Sequence, residues 1–155
     1  MKKIVVMSDN HGDKKALDYV RAQEPGADFY VHCGDSEVND QTLLHDFICV
    51  RGNNDWSLDL PRFASFQCEE LHILVTHGQF YGYFNRELAM KQDLLKHHCE
   101  VMISGHSHMP SFKQEGGFTF INPGSTSWPR GGSKRSYCVV FIDGKDVSCE
   151  FKEVV

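Results

Sequence analysis

The sequence predicts an α/β fold, and three observations lead to this prediction. Five apolar runs of strand character lie in the first two thirds of the chain, at residues 4–7, 29–31, 48–50, 73–75 and 101–103. Helical patterns alternate with these runs, whereas hairpin patterns follow Pro110. Strands that alternate with helices usually form a parallel sheet, and hairpins form antiparallel ones. We therefore expect a parallel first sheet packed against a more antiparallel second sheet.

Two helices are predicted between the strands. The first is capped by Asp13 and ends at Pro25-Gly26, before the second strand. Its apolar face consists of Ala16, Leu17 and Val20. The second helix is longer, over residues 83–98, and has an apolar stripe of Phe84, Leu88 and Leu95 with Leu94 beside it.

Two hairpins are predicted after Pro110. Gly116-Gly117 is a turn between residues 111–115 and 118–121, and Gly144 lies between residues 137–142 and 147–151. In the last of these runs, apolar and polar residues alternate, as they do in a half-buried antiparallel strand. The apolar positions of that run are Val147, Cys149 and Phe151.

The composition fits one globular domain over residues 1–155, with 41% hydrophobic and 24% charged residues. Six cysteines are scattered singly with no C-x-x-C pair, which favours free thiols in the reducing cytoplasm over disulfides in a secreted domain. The net charge of -5 argues against a nucleic-acid-binding surface. The apolar run after Lys2 and Lys3 is too short for a signal peptide, and no stretch approaches the length of a membrane span.

A short polar block follows each of the five apolar runs. The blocks are S-D-N-H-G (8–12), H-C-G-D (32–35), G-N-N-D (52–55), T-H-G (76–78) and G-H-S-H (105–108). Ligands of open α/β sheets bind beyond the carboxyl ends of the strands, where residues distant in sequence meet. Carboxylates, imidazoles and an amide at one edge can supply ligands for two metal ions. The sequence therefore predicts a metal centre at this edge, which we call the ligand edge.

Each block taken alone also has an ordinary structural explanation. Asp9 can cap a turn or a helix, and Asn53 can belong to a turn. His77 can be a core histidine, and His106 and His108 can lie on the surface. Five such blocks in this order at five strand ends rarely arise by chance, and the metal centre is therefore the favoured interpretation.

The blocks match the motifs of a known family. D-x-H (9–11), G-D (34–35), G-N-x-D (52–55), T-H-G (76–78) and G-H-S-H (105–108) are followed by N-P-G-S (122–125) and P-R-G-G (129–132). From Val5 to about Lys134, the chain resembles the calcineurin-like metallophosphoesterases, in particular their small single-domain phosphodiesterase branch. This resemblance implies a four-layer αββα sandwich with two mixed β-sheets and a dinuclear metal site at the carboxyl ends of the strands.

The resemblance also implies a ligand for each metal position. The first metal position would take Asp9, His11, Asp35 and His108, and the second would take Asp35, Asn53, His77 and His106. Asp35 would bridge the two ions, and all seven residues would act in catalysis through the metals. Nitrogen and oxygen ligands without a thiolate suit Mn, Fe, Co, Ni or Zn better than Mg or Ca. The habit of the family favours manganese.

The sequence departs from the family pattern at two places. Asn54 stands where many larger relatives have a histidine that protonates the leaving group, and an amide cannot donate a proton in this way near neutral pH. Gln79 stands where relatives often have a second histidine after T-H-G. Arg130 is the favoured substrate contact among four candidates, the others being Arg51, Tyr81 and Lys134. The other histidines are expected to be structural or surface residues: His32, His45, His72, His97 and His98.

The resemblance implies a phosphodiesterase in which a metal-bridging hydroxide attacks phosphorus, best with good leaving groups. Two alternatives stay open: a nucleotide or phosphomonoester hydrolase with the same centre, and a non-catalytic scaffold like the retromer subunit of this fold. We expect a small phosphate ester as substrate and neither a membrane nor nucleic acid as partner. A homo-oligomer is left open.

Overall fold

The computed structural model describes all 155 residues, which form ten strands, two α-helices and a short 3-10 helix at Gln41–Leu44. The helices are α1 (Lys14–Gln23) and α2 (Arg86–Lys96). The strands are β1 (Lys2–Met7), β2 (Phe29–His32), β3 (Phe47–Cys49), β4 (Phe63–Cys68), β5 (Leu71–Thr76), β6 (Val101–Ser104), β7 (Pro110–Glu115), β8 (Phe118–Pro123), β9 (Ser136–Asp143) and β10 (Asp146–Glu153).

The strands form two mixed five-stranded sheets, with the orders β10-β9-β1-β2-β3 and β4-β5-β6-β8-β7. Each sheet has three parallel strands, β1, β2 and β3 in one and β5, β6 and β8 in the other, extended by antiparallel strands. The expectation of a parallel first sheet packed against a more antiparallel second one is therefore wrong, because both sheets are mixed to the same degree. A hairpin pattern shows that two strands pair with each other, but it does not show which sheet they join. Here β9 pairs with β1, so the last hairpin extends the first sheet.

The four-layer αββα sandwich is confirmed. Fifteen buried residues from both sheets form the central core between the sheets, among them Val6, Val31 and Ile103. A second cluster packs α1 onto the outer face of the first sheet, and a third packs α2 onto the outer face of the second. Two face-to-face sheets, each covered by a helix, bury apolar side chains on both faces of their central strands.

The first helix agrees with its prediction. Asp13 lies at the N-cap and its carboxylate accepts a hydrogen bond from the backbone N–H of Lys15. The predicted face is the buried one, and it packs against Val5 and Met7 of β1. The buried residues of this face are Ala16, Leu17 and Val20.

The second helix differs from its prediction. It covers Arg86–Lys96 rather than residues 83–98, and it buries Met90 and Leu94 against the second sheet. The predicted stripe of Phe84, Leu88 and Leu95 is exposed. Phe84 precedes the helix, so it cannot share a helical face, and the face that packs on the sheet carries Met90 and Leu94 instead. Strand β4 was not predicted, because its mixed sequence F-A-S-F-Q-C lacks an apolar run.

The fold brings the five predicted blocks to one edge. Two parallel pairs of strands end there: β1 with β2, and β5 with β6. Backbone hydrogen bonds join the loops that follow these strands. The N–H of Asp9 donates to Gly34, and the N–H of Gly105 donates to His77. Neither helix is long and apolar enough to cross a membrane.

Candidate metal centre

The candidate ligands adopt an unusual backbone conformation at the ligand edge. Nine residues other than glycine have a positive φ in this chain, and five of them are predicted ligands: Asp9, His11, Asp35, His106 and His108, with φ of 57°, 46°, 56°, 72° and 62°. Such conformations cost on the order of 1–3 kcal/mol each and cluster at functional sites. Their concentration here is evidence for function that does not depend on the residue types.

One cluster joins the first and last blocks of the ligand edge. Oδ1 of Asp9 lies 3.3 Å from Nε2 of His108 and 3.9 Å from Nε2 of His11. The two Nε2 atoms lie 3.2 Å from each other. These three side chains form one of two groups whose ligand atoms are close enough to hold one cation.

Both imidazoles of this cluster are oriented by a partner on their other nitrogen. Nδ1 of His11 contacts the carboxylate of Glu37, and Nδ1 of His108 donates to the backbone carbonyl of Trp128 at 2.7 Å. The indole of Trp128 also stacks on His11, with ring centroids 4.4 Å apart. Such partners fix the tautomer and ring orientation of metal-binding histidines. Glu37 was not among the predicted residues, and the only sequence signal for it is an acidic residue two positions after Asp35.

A second cluster lies around His77. Its Nε2 is 3.3 Å from Oδ2 of Asp35 and 3.8 Å from Oδ1 of Asp9, and these three residues form the other group that can hold a cation. Oδ1 of Asn53 lies 3.0 Å from the same Nε2 and 3.2 Å from Nδ1 of His106. Nδ1 of His77 donates to a backbone carbonyl at 2.7 Å, that of Cys33. The structure thus brings all seven predicted ligands together.

The donor set fits a cation. Oδ1 of Asp9 is buried and accepts no hydrogen bond, although it lies among three imidazole nitrogens. When Nδ1 of His11 and of His108 carry the protons, both Nε2 atoms turn lone pairs towards each other at 3.2 Å. A buried acceptor without a partner and two facing lone pairs are unfavourable alone, and a positive ion between them removes both penalties.

The carboxylate shared by the two clusters is Asp9 in this structure, whereas the resemblance implies Asp35 as the bridge. The two oxygens of Asp35 are held by Asn54, whose backbone N–H donates to Oδ1 at 2.9 Å and whose side-chain amide donates to Oδ2 at 3.1 Å. Asn54 therefore orients Asp35, one of the predicted ligands. In this orientation Asp35 lies beside His77 in the second cluster only.

Asp55 links the block at residues 52–55 to the block at residues 32–35 by hydrogen bonds. It is buried, and its carboxylate accepts hydrogen bonds from the backbone N–H groups of Asp35, Gly52 and Glu37 at 2.8, 2.7 and 3.0 Å. Gly52 is required at this contact, because a Cβ there would lie 2.1 Å from Oδ1 of Asp35. Asp55 thus positions both a predicted ligand and Glu37.

The two central carboxylates are ionised at neutral pH. Burial raises the pKa of Asp9, but the neighbouring imidazoles of His108 and His77 outweigh burial and lower that pKa below its ordinary value. The pKa of Asp35 lies far below its usual range, because its bonds with His77 and Asn54 outweigh burial. The centre therefore offers two negative charges to a cation.

The pKa values of the imidazoles are shifted in opposite directions by their surroundings. Burial lowers the pKa of His77, but the carboxylates of Asp35 and Asp9 outweigh it and raise that pKa above its ordinary value. The same balance, with Asp9 as the partner, raises the pKa of His108. Burial and the nearby charge of His77 lower the pKa of His106. Protons therefore compete with a metal ion for His77 and His108 as the pH falls.

Of the candidate substrate contacts, Arg130 is an exposed cation on a ligand-edge loop, and its side chain has neither a salt bridge nor a hydrogen bond. Its backbone N–H donates to the carbonyl of His108 at 3.1 Å. The other three are held elsewhere: Arg51 by the carbonyl of Asp55, Tyr81 by Asp93, and Lys134 by Glu153. Arg86 was not predicted; it is half-buried, contacts no carboxylate and donates to the carbonyls of Gly78 and Tyr81.

The other five histidines lie outside the metal clusters, as expected. His32 is buried, donates through Nε2 to Oδ1 of Asn10 at 2.8 Å and accepts at Nδ1 from the N–H of Gly34. Burial lowers the pKa of His32 to about 4, so this residue is neutral. The remaining four are exposed or half-buried: His45, His72, His97 and His98.

The comparisons with known proteins agree with this geometry. Phosphodiesterase YfcE of Escherichia coli is 31% identical over 144 residues, which cover 86% of this chain and 69% of YfcE. A crystal structure from Streptococcus pneumoniae, described as a predicted phosphoesterase, is 31% identical, covers 97% of this chain and 88% of its own, and superposes with a TM-score of 0.89. Vps29 of Entamoeba histolytica shares the fold, with a TM-score of 0.75, 20% identity and 99% coverage of both chains.

The family model of the calcineurin-like phosphoesterase superfamily domain matches residues 1–145. This match spans all five blocks of the ligand edge and the loop that carries Trp128 and Arg130. The chain therefore belongs to the calcineurin-like phosphoesterase superfamily.

Proposed function

We propose that this protein is a metal-dependent phosphodiesterase that binds two divalent cations. In this proposal the first metal position is formed by Asp9, His11, Asp35 and His108, and the second by Asp35, Asn53, His77 and His106. The observation that carries the proposal is Oδ1 of Asp9, a buried acceptor without a hydrogen bond among three imidazole nitrogens. The phosphodiesterase activity named for YfcE, at 31% identity, supports the choice of substrate class.

The charge balance of the centre favours an anionic substrate. Two divalent cations bring four positive charges, and the seven ligands include only two carboxylates, Asp9 and Asp35. The loaded centre is therefore positive and attracts a phosphate ester despite the net charge of -5 on the whole chain. When bound, two such ions activate water and stabilise charge on the attacking and leaving oxygens.

The chain itself offers no side-chain nucleophile at the centre. The hydroxyl of Ser8 donates to Oδ2 of Asp9 at 2.7 Å, and burial raises the pKa of the Cys33 thiol well above its ordinary value. Neither group can become an anion beside two carboxylates. Direct attack by water is the mechanism that remains, with the phosphoryl group oriented by the ligand edge.

Protonation of the leaving group is the weak step of this centre. Asn54 stands where many larger relatives have a histidine that protonates the leaving group, and its backbone N–H and its side-chain amide both donate to Asp35. An amide has no proton to transfer near neutral pH. We therefore propose that the enzyme acts best on diesters whose leaving groups depart as stable anions.

Imidazole, carboxylate and amide ligands suit Mn, Fe, Co, Ni or Zn, and manganese is the proposed metal because the habit of the family favours it. The physiological substrate is proposed to be a small phosphate ester. The six cysteines are all free thiols, which supports a reducing compartment such as the cytoplasm. A scaffold function is the second candidate, because Vps29 has this fold; the complete ligand set favours the enzyme.

The proposed function is tested by removing the metal with a chelator and adding it back. Protein stripped with a chelator should lose hydrolysis of bis(p-nitrophenyl) phosphate and regain it best with Mn²⁺, while circular dichroism shows that the fold is retained. p-Nitrophenyl phosphate, a monoester with the same leaving group, tests the alternative substrate class. Full activity in the stripped protein would exclude the metal mechanism, and no activity with any of the five metals would favour the scaffold.

A further inference from the structure

Trp128 lies against the first metal position and yet is exposed. Its indole stacks nearly parallel on the imidazole of His11, with an angle of 14° and a centroid distance of 4.4 Å. The residue is 61% exposed, and no other aromatic ring or cation packs on it. Because His11 covers one face of the indole, this exposure leaves the opposite face in contact with solvent.

The loop that carries Trp128 is fixed to the ligand edge. The backbone N–H of Trp128 donates to Oγ of Ser125 at 2.8 Å, and this hydroxyl donates to the carbonyl of Asp9 at 2.7 Å. The carbonyl of Trp128 accepts from His108, and the hydroxyl of Ser127 donates to the carbonyl of Asn10. The backbone of Trp128 is therefore held beside the first metal position, and the stack on His11 orients the indole.

We propose that the open face of Trp128 is a stacking subsite for a planar aromatic group attached to the phosphorus of the substrate. This inference rests on the proposed function and names its substrate class: phosphate esters that carry an aryl or heteroaryl ring close to phosphorus. Nε2 of His11 points into the first metal position while its ring lies under the indole. Because the indole and the first metal position share His11, a ring close to a phosphoryl group held there lies near the indole.

The physical basis of selection is the shape of the ring. Stacking on an aromatic side chain is strong for any planar π-system and tolerates different hydrogen-bonding patterns. The subsite should therefore distinguish planar rings from small alkyl groups and from puckered rings, and should not distinguish between aromatic rings of similar size. Trp56, which is 79% exposed, directly follows the block at residues 52–55 and stacks on no predicted ligand, provides a control on the same edge.

The test uses three phosphonates that differ only in the group on phosphorus: phenyl, cyclohexyl and methyl. Each is titrated as a competitive inhibitor of bis(p-nitrophenyl) phosphate hydrolysis, at saturating Mn²⁺, against the unmodified protein and the variants Trp128→Ala, Trp128→Phe and Trp56→Phe. Phenylphosphonate should bind on the order of tenfold more tightly than methylphosphonate, with cyclohexylphosphonate close to methylphosphonate. Trp128→Ala should remove this preference for phenylphosphonate, and Trp128→Phe should keep part of it. Trp56→Phe should leave the preference unchanged.

Two features of this design separate stacking from a structural role. The ratio of the affinities for two phosphonates is measured on one metal-saturated protein. It therefore does not change if a Trp128 variant displaces His11 and lowers the affinity for the metal. In Trp56→Phe, Trp128 is the only tryptophan, so phenylphosphonate should change its fluorescence more than methylphosphonate does, without any measurement of activity.

The outcomes distinguish this inference from the proposed function. Hydrolysis by the unmodified protein with equal affinity for phenyl- and methylphosphonate overturns the subsite and leaves the phosphodiesterase intact. A phenyl preference that survives Trp128→Ala also overturns the subsite, because another surface then binds the ring. No hydrolysis and no phosphonate binding would overturn both.

Discussion

The two halves of the proposed metal centre are built differently. At the first metal position, the side chains of His11 and His108 are 6% and 4% exposed, and each has its second nitrogen fixed by a partner. At the second, His77 is fixed in the same way through Cys33, but Nε2 of His106 has no hydrogen-bond partner and Asn53 is exposed. The first position is therefore preorganised, and the second is looser.

This difference predicts an order of metal binding. Ligands that are already oriented lose less conformational freedom when an ion binds, so the first metal position should have the higher affinity. The second should bind more weakly and exchange its ion more readily. Replacements of Asp35 and Glu37 test this comparison directly, and replacements of Asn54 and His32 test the chemistry and the stability of the surrounding centre.

Replacing Asp35 by alanine should have the largest effect. Under the proposal Asp35 belongs to both positions, and its loss removes one of only two carboxylates. We expect kcat to fall on the order of a hundredfold or more, with a lower metal content in elemental analysis. Asp146→Ala, an exposed position on β10, is the matched control. Two bound ions with nearly unchanged turnover would show that Asp35 is not the bridge and that Asp9 is the better candidate.

Removing the charge of Glu37 should weaken the first metal position alone. Glu37→Gln keeps the size of the side chain but replaces the carboxylate that orients His11. We expect roughly 10- to 100-fold lower affinity for one of the two ions, and an unchanged affinity for the other. Isothermal titration with Mn²⁺ measures both, with Glu100→Gln as the control. Equal weakening of both ions would contradict the division into two unequal positions.

Replacing Asn54 by histidine should affect poor leaving groups. In the unmodified protein, the rate should depend steeply on the pKa of the leaving group, because no side chain protonates it. Asn54→His should improve alkyl diesters by at most about tenfold. The gain is small because the variant loses one hydrogen bond to Asp35, and because three backbone N–H groups already fix the carboxylate of Asp55, which therefore cannot turn towards the new ring. A flat dependence in the unmodified protein would reveal another proton donor.

His32 should make the metal-stripped protein less stable in mild acid. Its pKa is about 4 in the folded state and about 6.5 when unfolded, so between these values the unfolded state binds the extra proton. The contribution of neutral His32 to stability is complete above pH 6.5 and is lost as the pH falls towards 4. From pH 7 to pH 5, the free energy of unfolding should fall by about 2 kcal/mol more in the unmodified protein than in His32→Gln. Chemical denaturation at both pH values measures the free energy of unfolding. An equal fall in the unmodified protein and in His32→Gln would contradict this role of His32.

The sequence predicted the ligand edge better than it predicted the sheets. Polar blocks directly after apolar strands are local features, and they located all seven candidate ligands. Strand β4 and the placement of β9 beside β1 depend on long-range pairing, which has no local signal. Glu37, Trp128 and Asp55 were missed as site residues for the same reason, since their roles arise from contacts with residues distant in sequence. The buried face of α2 was also set by packing and not by its apolar stripe.

The most direct test of the two-metal account is a titration of the stripped protein with Mn²⁺, in which bound metal and hydrolysis of bis(p-nitrophenyl) phosphate are followed together. Electron paramagnetic resonance counts the free and bound ions at each addition. We predict two ions per chain, a tight first equivalent with little activity, and full activity only as the second equivalent binds. A single bound ion that gives full activity, or two ions that bind without any hydrolysis, would contradict the account.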